Sequence, residues 1–458
     1  MNFKTSYILE DFALQAEWRR FPEVVQARAI DCAIDLMMAL ILGSRGLQFK
    51  AGCRLAEDIY QKGDVAVVGS QQKFSFMGAA VAMGHAANSF DIDDGYNLIK
   101  GHPGSSVVAG TLAAALNRDI SYTEFLTALV VAYESAIRHG IALQEHYNYL
   151  HSSGAYGAFG TAAGVGRIFG LSREALNTAL SIADYHAPMT PVMRAVEYPS
   201  MNKDGVPFGT QIGVCAVLET LAGTTGKTHL LELEELGYLL EGLGEDYRIL
   251  NLYFKPYTCC RWAHQSISAA LELVERYRIK PQDIRRIRVF SFQSAIRLSK
   301  KIPIRTDEAQ YNIAWPIAAA IVHGDVGYEQ VTEENLNNPI VLDLMTRMEY
   351  RMDESLEREF PSKRLSQVEI DLYSGETLKS AVHAASGEAS DGVDEQWIDT
   401  KFRRITAPFL DAAAQNEILM RMRKPQGMTR EIVRLVNQRL CGHTEDLVAL
   451  TAHKMILH

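Results

Sequence analysis

Ile287-Arg-Val-Phe-Ser-Phe292 and Val368-Glu-Ile-Asp-Leu-Tyr373 alternate apolar and polar residues in a chain that otherwise reads as helix after helix. A period of two is that of a strand with one face buried. Ser374-Gly375 turns the second strand into Thr377-Leu-Lys-Ser-Ala-Val382, which predicts a hairpin. Ahead of the strands, residues 1 to about 265 carry helical signals. Ser121-Tyr-Thr-Glu124 has the form of a capping box, in which the Ser oxygen takes a backbone N–H and Glu124 reaches back. Leu126, Leu129, Val130, Tyr133 and Ile137 follow at helical spacing. Ser172 opens a similar segment, with Leu176, Leu180 and Ile182 behind it. Residues 78–87, 109–115 and 155–166 are crowded with small side chains, which let helix backbones approach closely. Residues 383–396 are small, polar and acidic and are read as a linker. Helical patterning returns from about Asp399, with Thr429 as a cap. The predicted fold class is mainly α: a large all-helical domain (residues 1–267 plus 400–458) with a smaller α/β (α+β) lid domain (residues 268–399) inserted in it.

The 458 residues include 46 Lys+Arg against 55 Asp+Glu, a formal net charge of −9. That balance leaves no basic footprint for nucleic acid. With 47% hydrophobic and 22% charged residues, the composition is that of a folded globular chain rather than a disordered one. Six Cys over this length cannot form a disulfide scaffold, so a reduced, cytoplasmic setting is expected. The N-terminal stretch carries acids inside its apolar run, unlike a secretory leader. The densest early apolar run, at 36–42, falls far short of the roughly 18 residues that span a bilayer, so no membrane partner is expected.

Asp91-Ile-Asp-Asp94-Gly95 resembles the start of a calcium loop, but His102 stands where the twelfth-position carboxylate is needed. Its acids lie close instead to Lys100-Gly-His102-Pro-Gly104, a forced turn ahead of an apolar helix, where Ser105 and Ser106 can cap. A His just before a helix N-terminus sits beside unpaired N–H groups and is well placed to hold an anion. Gly164-Val-Gly166-Arg-Ile-Phe-Gly170 lacks the spacing and the preceding strand of a dinucleotide fingerprint and is read as close helix packing. Cys259-Cys260 are poor tetrahedral zinc ligands, and neither HExxH nor CxxC occurs. Lys255-Pro-Tyr-Thr-Cys-Cys-Arg261-Trp-Ala-His264 gathers three potential cations and two aromatics, which suggests a semi-buried cationic wall. His151-Ser-Ser-Gly154 and Met201-Asn-Lys203-Asp-Gly-Val-Pro-Phe-Gly209 each open a small-residue helix from a polar loop. Four such loops thus offer His102, His151, Lys203 and His264.

Taken in order, SFDIDDGYNLIKGHPGSSV, HSSGAYGAFGTAAGVGRIFGL, NKDGVPFGTQIGVCAVLETLAGTTG, FKPYTCCRWAH and AQYNIAWPIAAAI resemble the MmgE/PrpD family over nearly the whole chain. That family includes 2-methylcitrate dehydratase, cis-aconitate decarboxylase and iminodisuccinate epimerase. The resemblance implies a helical domain with an inserted α/β domain, a homodimer, a small di- or tricarboxylate substrate, and no metal or organic cofactor. By the same likeness Asp91, His102, Lys203 and His264 are candidate catalytic residues and His151 a substrate-binding one, with Arg261, Gly95 and Trp315 as further substrate-binding candidates. Gly95 stands where many members have Thr, and Trp315 where the decarboxylases present a Tyr toward substrate.

The chemistries so implied share one difficulty, negative charge building up on carbon next to a carboxylate. Lys203, Arg261 and protonated His residues suit its stabilisation. His is the side chain whose pKa lies in the range for proton transfer near neutrality. His102 or His264 is therefore expected to shuttle the proton and Lys203 to anchor a carboxylate, with Asp91 orienting a His or itself acting as base. Dehydration of a hydroxy-polycarboxylate is the leading expectation. Epimerisation follows, then decarboxylation, which loses ground because Trp315 has no phenol, and then non-catalytic carboxylate binding. Tyr311 and Trp315 lie four apart and would share a face if both were on one helix.

Overall fold

The computed structural model describes residues 2–440. Cys441 and the rest of the predicted C-terminal domain segment beyond it lie outside the described residues. At the centre is the helix Tyr122–His146, packed against Ser153–Ile168, which in turn packs on Pro103–Arg118 and Val206–Leu221. Small residues allow these approaches: a Cβ on Gly160 would fall 2.5 Å from that of Ala136. Tyr122–His146 is also the one described helix long and apolar enough to cross a membrane, and its apolar stretch is wholly buried in the protein.

The capping box is half formed. Ser121 accepts the Glu124 N–H at 3.1 Å, while the Glu124 carboxylate turns outward to Arg167, 2.8 Å from its Nε. Arginine offers a charge-assisted pair, which outcompetes a neutral backbone N–H. Thr429 starts its helix, Thr429–Leu440, but its hydroxyl donates to the Ile120 carbonyl rather than capping.

Both predicted strands form, as Ile284–Ser291 and Leu365–Leu372, and pair antiparallel with Val289 opposite Val368. Gly375, at φ 93°, makes the turn into Thr377–Lys379. Met348–Met352 adds a parallel neighbour on the other side of Ile284–Ser291, giving a five-stranded mixed sheet. Ile287, Val289, Val368 and Ile370 are fully buried, and the helix Arg261–Tyr277 packs on the sheet. Burying each such side chain contributes about 1.5–3 kcal/mol.

Residues 383–396 do more than link. His383–Ala384 pairs with Leu365–Ser366 as a short strand. The carbonyls of Ala385 and Ser386 and the Glu388 carboxylate then take the Arg261 guanidinium, and Phe254 donates its N–H to Gly387. A low-complexity stretch is recruited because the buried guanidinium needs acceptors. Beyond it, Glu395–Thr406 returns to pack on Glu23–Gly43, with Lys401 Nζ 2.6 Å from Asp35.

Candidate active site

The helix Phe76–Ala87 ends at Asn88, and the chain folds back on itself with Asp91 at φ 51°. Non-Gly residues adopt this left-handed region only where the surroundings over-determine it. Here Asn88 Nδ2 holds Asp93 at 2.9 Å and Asp91 at 3.4 Å, and Lys255 Nζ lies 2.7 Å from Asp91 Oδ2. Asp94 fastens the turn before the helix Pro103–Arg118: its Oδ1 accepts the Gly104 N–H at 3.1 Å, and its Oδ2 accepts the Tyr133 hydroxyl. A Cβ on Gly104 would fall 2.3 Å from that hydroxyl, so glycine is needed for the approach.

His102 caps the same helix and is buried. Its Nδ1 is 2.7 Å from the Asp94 carbonyl. A carbonyl only accepts, so Nδ1 carries a proton. Nε2 then faces Asp91 Oδ1 at 3.4 Å and Asp204 Oδ2 at 3.6 Å. Tyr311 donates its hydroxyl to the same Asp204 oxygen at 3.1 Å. Lys203, at φ 35°, donates from Nζ to the carbonyls of Asn88 (2.8 Å) and Ser89 (2.7 Å) and to Gln310 Oε1. A cavity of about 480 Å³ opens against Lys203, with Ser152, Thr190, Arg194, Asn202 and Phe208 on its wall.

Burial disfavours every charge in this cluster, and the neighbours decide which survive. For Asp91 burial pushes upward, but Lys255, His102 and Lys203 outweigh it and hold the carboxyl below its ordinary value. Burial would lower the His102 imidazole; Asp93, with Asp91 and Asp204, overcomes that and raises it. Burial lowers Lys203 to about 8 despite Asp91 and Asp93. It raises Asp204 against the pull of His102, and raises Asp94 to about 7. Asp91, His102 and Asp204 bring one ligand atom each to within 4.8 Å of one another, a spacing a cation could span. The Lys255 ammonium already sits on Asp91, and we assign no metal there.

The second cationic group is arranged differently. His264 lies in the first turn of Arg261–Tyr277, with Nε2 3.0 Å from the Cys259 carbonyl and Nδ1 buried without a partner. Burial, then Arg261 and Lys255, hold it well below the ordinary histidine value, so it is neutral with a free Nδ1 lone pair. Arg261 is consumed by residues 385–388 and stacks over Tyr253 at 4.4 Å. Burial raises the Cys259 and Cys260 thiols, which stay protonated.

His151 is fully buried against Tyr149 and Tyr147, with neither ring nitrogen hydrogen-bonded, and burial lowers it to about 4. Its neighbour Ser153 accepts the His102 N–H at 3.0 Å. Gly95 exchanges backbone hydrogen bonds with Tyr253, and a Cβ there would fall 2.2 Å from that ring, so the position serves packing. Trp315 and Tyr311 do not share a helix. Thr306–Gln310 ends, Asn312 Oδ1 accepts the N–H groups of Ala314 and Trp315, and a new helix, Ala314–His323, begins. The Trp315 indole consequently donates away from the acids, to the Gln330 carbonyl at 2.8 Å, while Tyr311 reaches Asp204. Sequence alone marks neither Asp204 nor Gln310 as a site residue and leaves Tyr311 open between cleft and core. Asp204 follows Lys203 directly, which is the signal that could have found it.

The family models for the MmgE/PrpD N-terminal domain and the MmgE/PrpD C-terminal domain match residues 8–247 and 257–424, and the chain belongs to the MmgE/PrpD family. It is 23% identical over 396 residues to a cis-aconitate decarboxylase of Aspergillus terreus, covering 78% of this chain and 80% of that one. It is 22% identical over 431 residues to the cis-aconitate decarboxylase-like protein oryM of Aspergillus oryzae, covering 85% and 88%. The human cis-aconitate decarboxylase is 22% identical over 357 residues, 71% of each chain. A lyase-type enzyme is the activity class these relatives support.

Proposed function

We propose that the chain is a lyase of small di- or tricarboxylates that works through a carbanion next to a carboxylate, with dehydration as its reaction. The observation that carries this reading is the contrast between two buried imidazoles: His102 has Asp91, Asp93 and Asp204 at 3.4, 3.3 and 3.6 Å, and is raised, while His264 has Nε2 on the Cys259 carbonyl and Nδ1 unpartnered beside Arg261 and Lys255, and is lowered. Titratable groups separated in this way mark the acid and the base. His264, neutral with a free Nδ1, takes the proton from carbon. The substrate's own carboxylates, arriving beside Lys255 and Arg261, offset the positive field that keeps this imidazole weakly basic. His102 serves as imidazolium on the acid side, and Lys203 exchanges its bond to Gln310 for a substrate carboxylate while charge develops. Asp91, kept ionised by Lys255, sustains the charge on His102.

Decarboxylation is the reaction named for the relatives, and it is the second reading on that ground. Against it, Trp315 offers no phenol and its indole is engaged by Gln330. Incubation with citrate, 2-methylcitrate, malate and cis-aconitate in deuterated water tests the assignment. An unsaturated product formed with release of water supports dehydration, release of carbon dioxide means decarboxylation, and inverted configuration without an alkene means epimerisation. A homodimer is proposed on the family likeness, to be checked by light scattering of the purified chain.

A further inference from the structure

Asp204 stands out among the acids of the site because its oxygen without a hydrogen bond also meets no cation, whereas Asp91 Oδ2 faces Lys255 and Asp93 Oδ2 faces His102. Oδ2 accepts the Tyr311 hydroxyl at 3.1 Å and faces His102 Nε2 at 3.6 Å, whereas Oδ1 is buried with no partner. A buried carboxyl oxygen with nothing to bond is costly unless it carries a proton or meets a ligand. Asp91, by contrast, has the Lys255 ammonium at 2.7 Å and is held as a carboxylate. Tyr311 is itself 3% exposed, and Lys203 Nζ lies 6.0 Å from the centre of its ring, so this corner adjoins the carboxylate anchor.

We propose that Asp204, oriented by Tyr311, is the acid that protonates a leaving hydroxyl, so that the substrate is a polycarboxylate bearing a hydroxyl on the carbon next to the one deprotonated. This rests on the functional reading above and deepens it. The step balances. His264 Nδ1 takes the proton from carbon, the electron pair left behind forms the carbon–carbon double bond, and the carbon–oxygen bond breaks. The departing oxygen takes the proton from Asp204 Oδ1 and leaves as water. The His102 imidazolium, 3.6 Å from Oδ2, returns a proton to Asp204. Solvent then carries the proton from His264 back to His102 as product leaves. Two environments support the assignment: burial holds the Asp204 carboxyl above its ordinary range, and burial beside Asp204 keeps the Tyr311 phenol protonated as a donor. Tyr311 is a positioning residue, since it acts through Asp204.

Fluoride needs no proton to leave, which gives the test its control. The wild-type enzyme, Asp204→Asn and Tyr311→Phe are each assayed on citrate or 2-methylcitrate and on the counterpart with fluorine in place of the hydroxyl, together with deuterium exchange at the carbon. Asp204→Asn is expected to lower kcat for water loss by about 100-fold or more, the usual weight of a general acid. Fluoride loss and exchange should stay within about threefold of wild type. Tyr311→Phe should lower water loss about tenfold with KM unchanged, leaving fluoride loss intact. Equal losses on both substrates would show a merely structural role and overturn the assignment, as would full water loss in Asp204→Asn. Deuterium exchange by the wild type without any water loss would overturn the hydroxyl assignment and leave proton abstraction standing. Absence of both would overturn the functional reading together with it.

Discussion

His102 and His264 are both buried imidazoles at the start of a helix, yet they meet opposite surroundings. Around His102 stand Asp91, Asp93 and Asp204, and the charged form is favoured. Around His264 stand Arg261 and Lys255, and the neutral form is favoured. Lys255, bonded to Asp91, repels the proton from both imidazoles, and only His102 has the carboxylates to overcome it. Residue type alone does not set the charge of these two imidazoles; the sign of the neighbouring charge does.

The largest effect expected on breaking this contrast comes from Lys203→Met, which removes the ammonium proposed as the carboxylate anchor and should lower kcat/KM by about 10³-fold. Far-ultraviolet circular dichroism should remain unchanged, and near-normal activity would refute the anchor role. His264→Asn should depress deuterium exchange as well as product formation, each by about 10²-fold. His102→Asn should slow product formation while exchange persists, and loss of exchange in both would reverse the assignment. Lys255→Met leaves the Asp91 charge buried without its ammonium and should cost about 3–5 kcal/mol in urea unfolding at pH 7. Adding Asp91→Asn should restore much of that loss.

The pH dependence sharpens the same contrast. Lys203 is charged below its pKa, which burial has brought to about 8, so activity should fall as pH rises through that value. Lys203→Arg should move the falling limb upward, because guanidinium stays charged. In nitrogen-15 spectra, His102 should titrate above the ordinary histidine range and His264 should stay neutral to acidic pH. The smallest change expected is Trp315→Phe. It removes one hydrogen bond to Gln330, about 1 kcal/mol of stability, with turnover within about twofold.

The strands 284–291 and 365–372 were legible because a two-residue period survives burial on one face, and the small-residue helices because close packing excludes large side chains. The parallel neighbour Met348–Met352 was not, since its burial does not alternate. Within the site, Asp91, His102 and Lys203 stood out through their Gly-punctuated loops, and the fold draws them to one place. Tyr311 stays open between cleft and core in the sequence because helical spacing runs through Asn312, whose side chain caps a new helix and breaks the face in two. Asp204 was overlooked because its meaning depends on Tyr311, 107 residues away. Arg261 reads as a substrate cation in isolation, but residues 385–388 supply the acceptors that engage it.

That fastening has a mechanical consequence. Arg261 and Arg364 flank the Tyr253 ring at 4.4 and 5.6 Å, and residues 385–388 close over the first of them like a clasp. Pulling residues 385–388 away would take the acceptors from a guanidinium that is 3% exposed, so this edge is locked by charge as well as by packing.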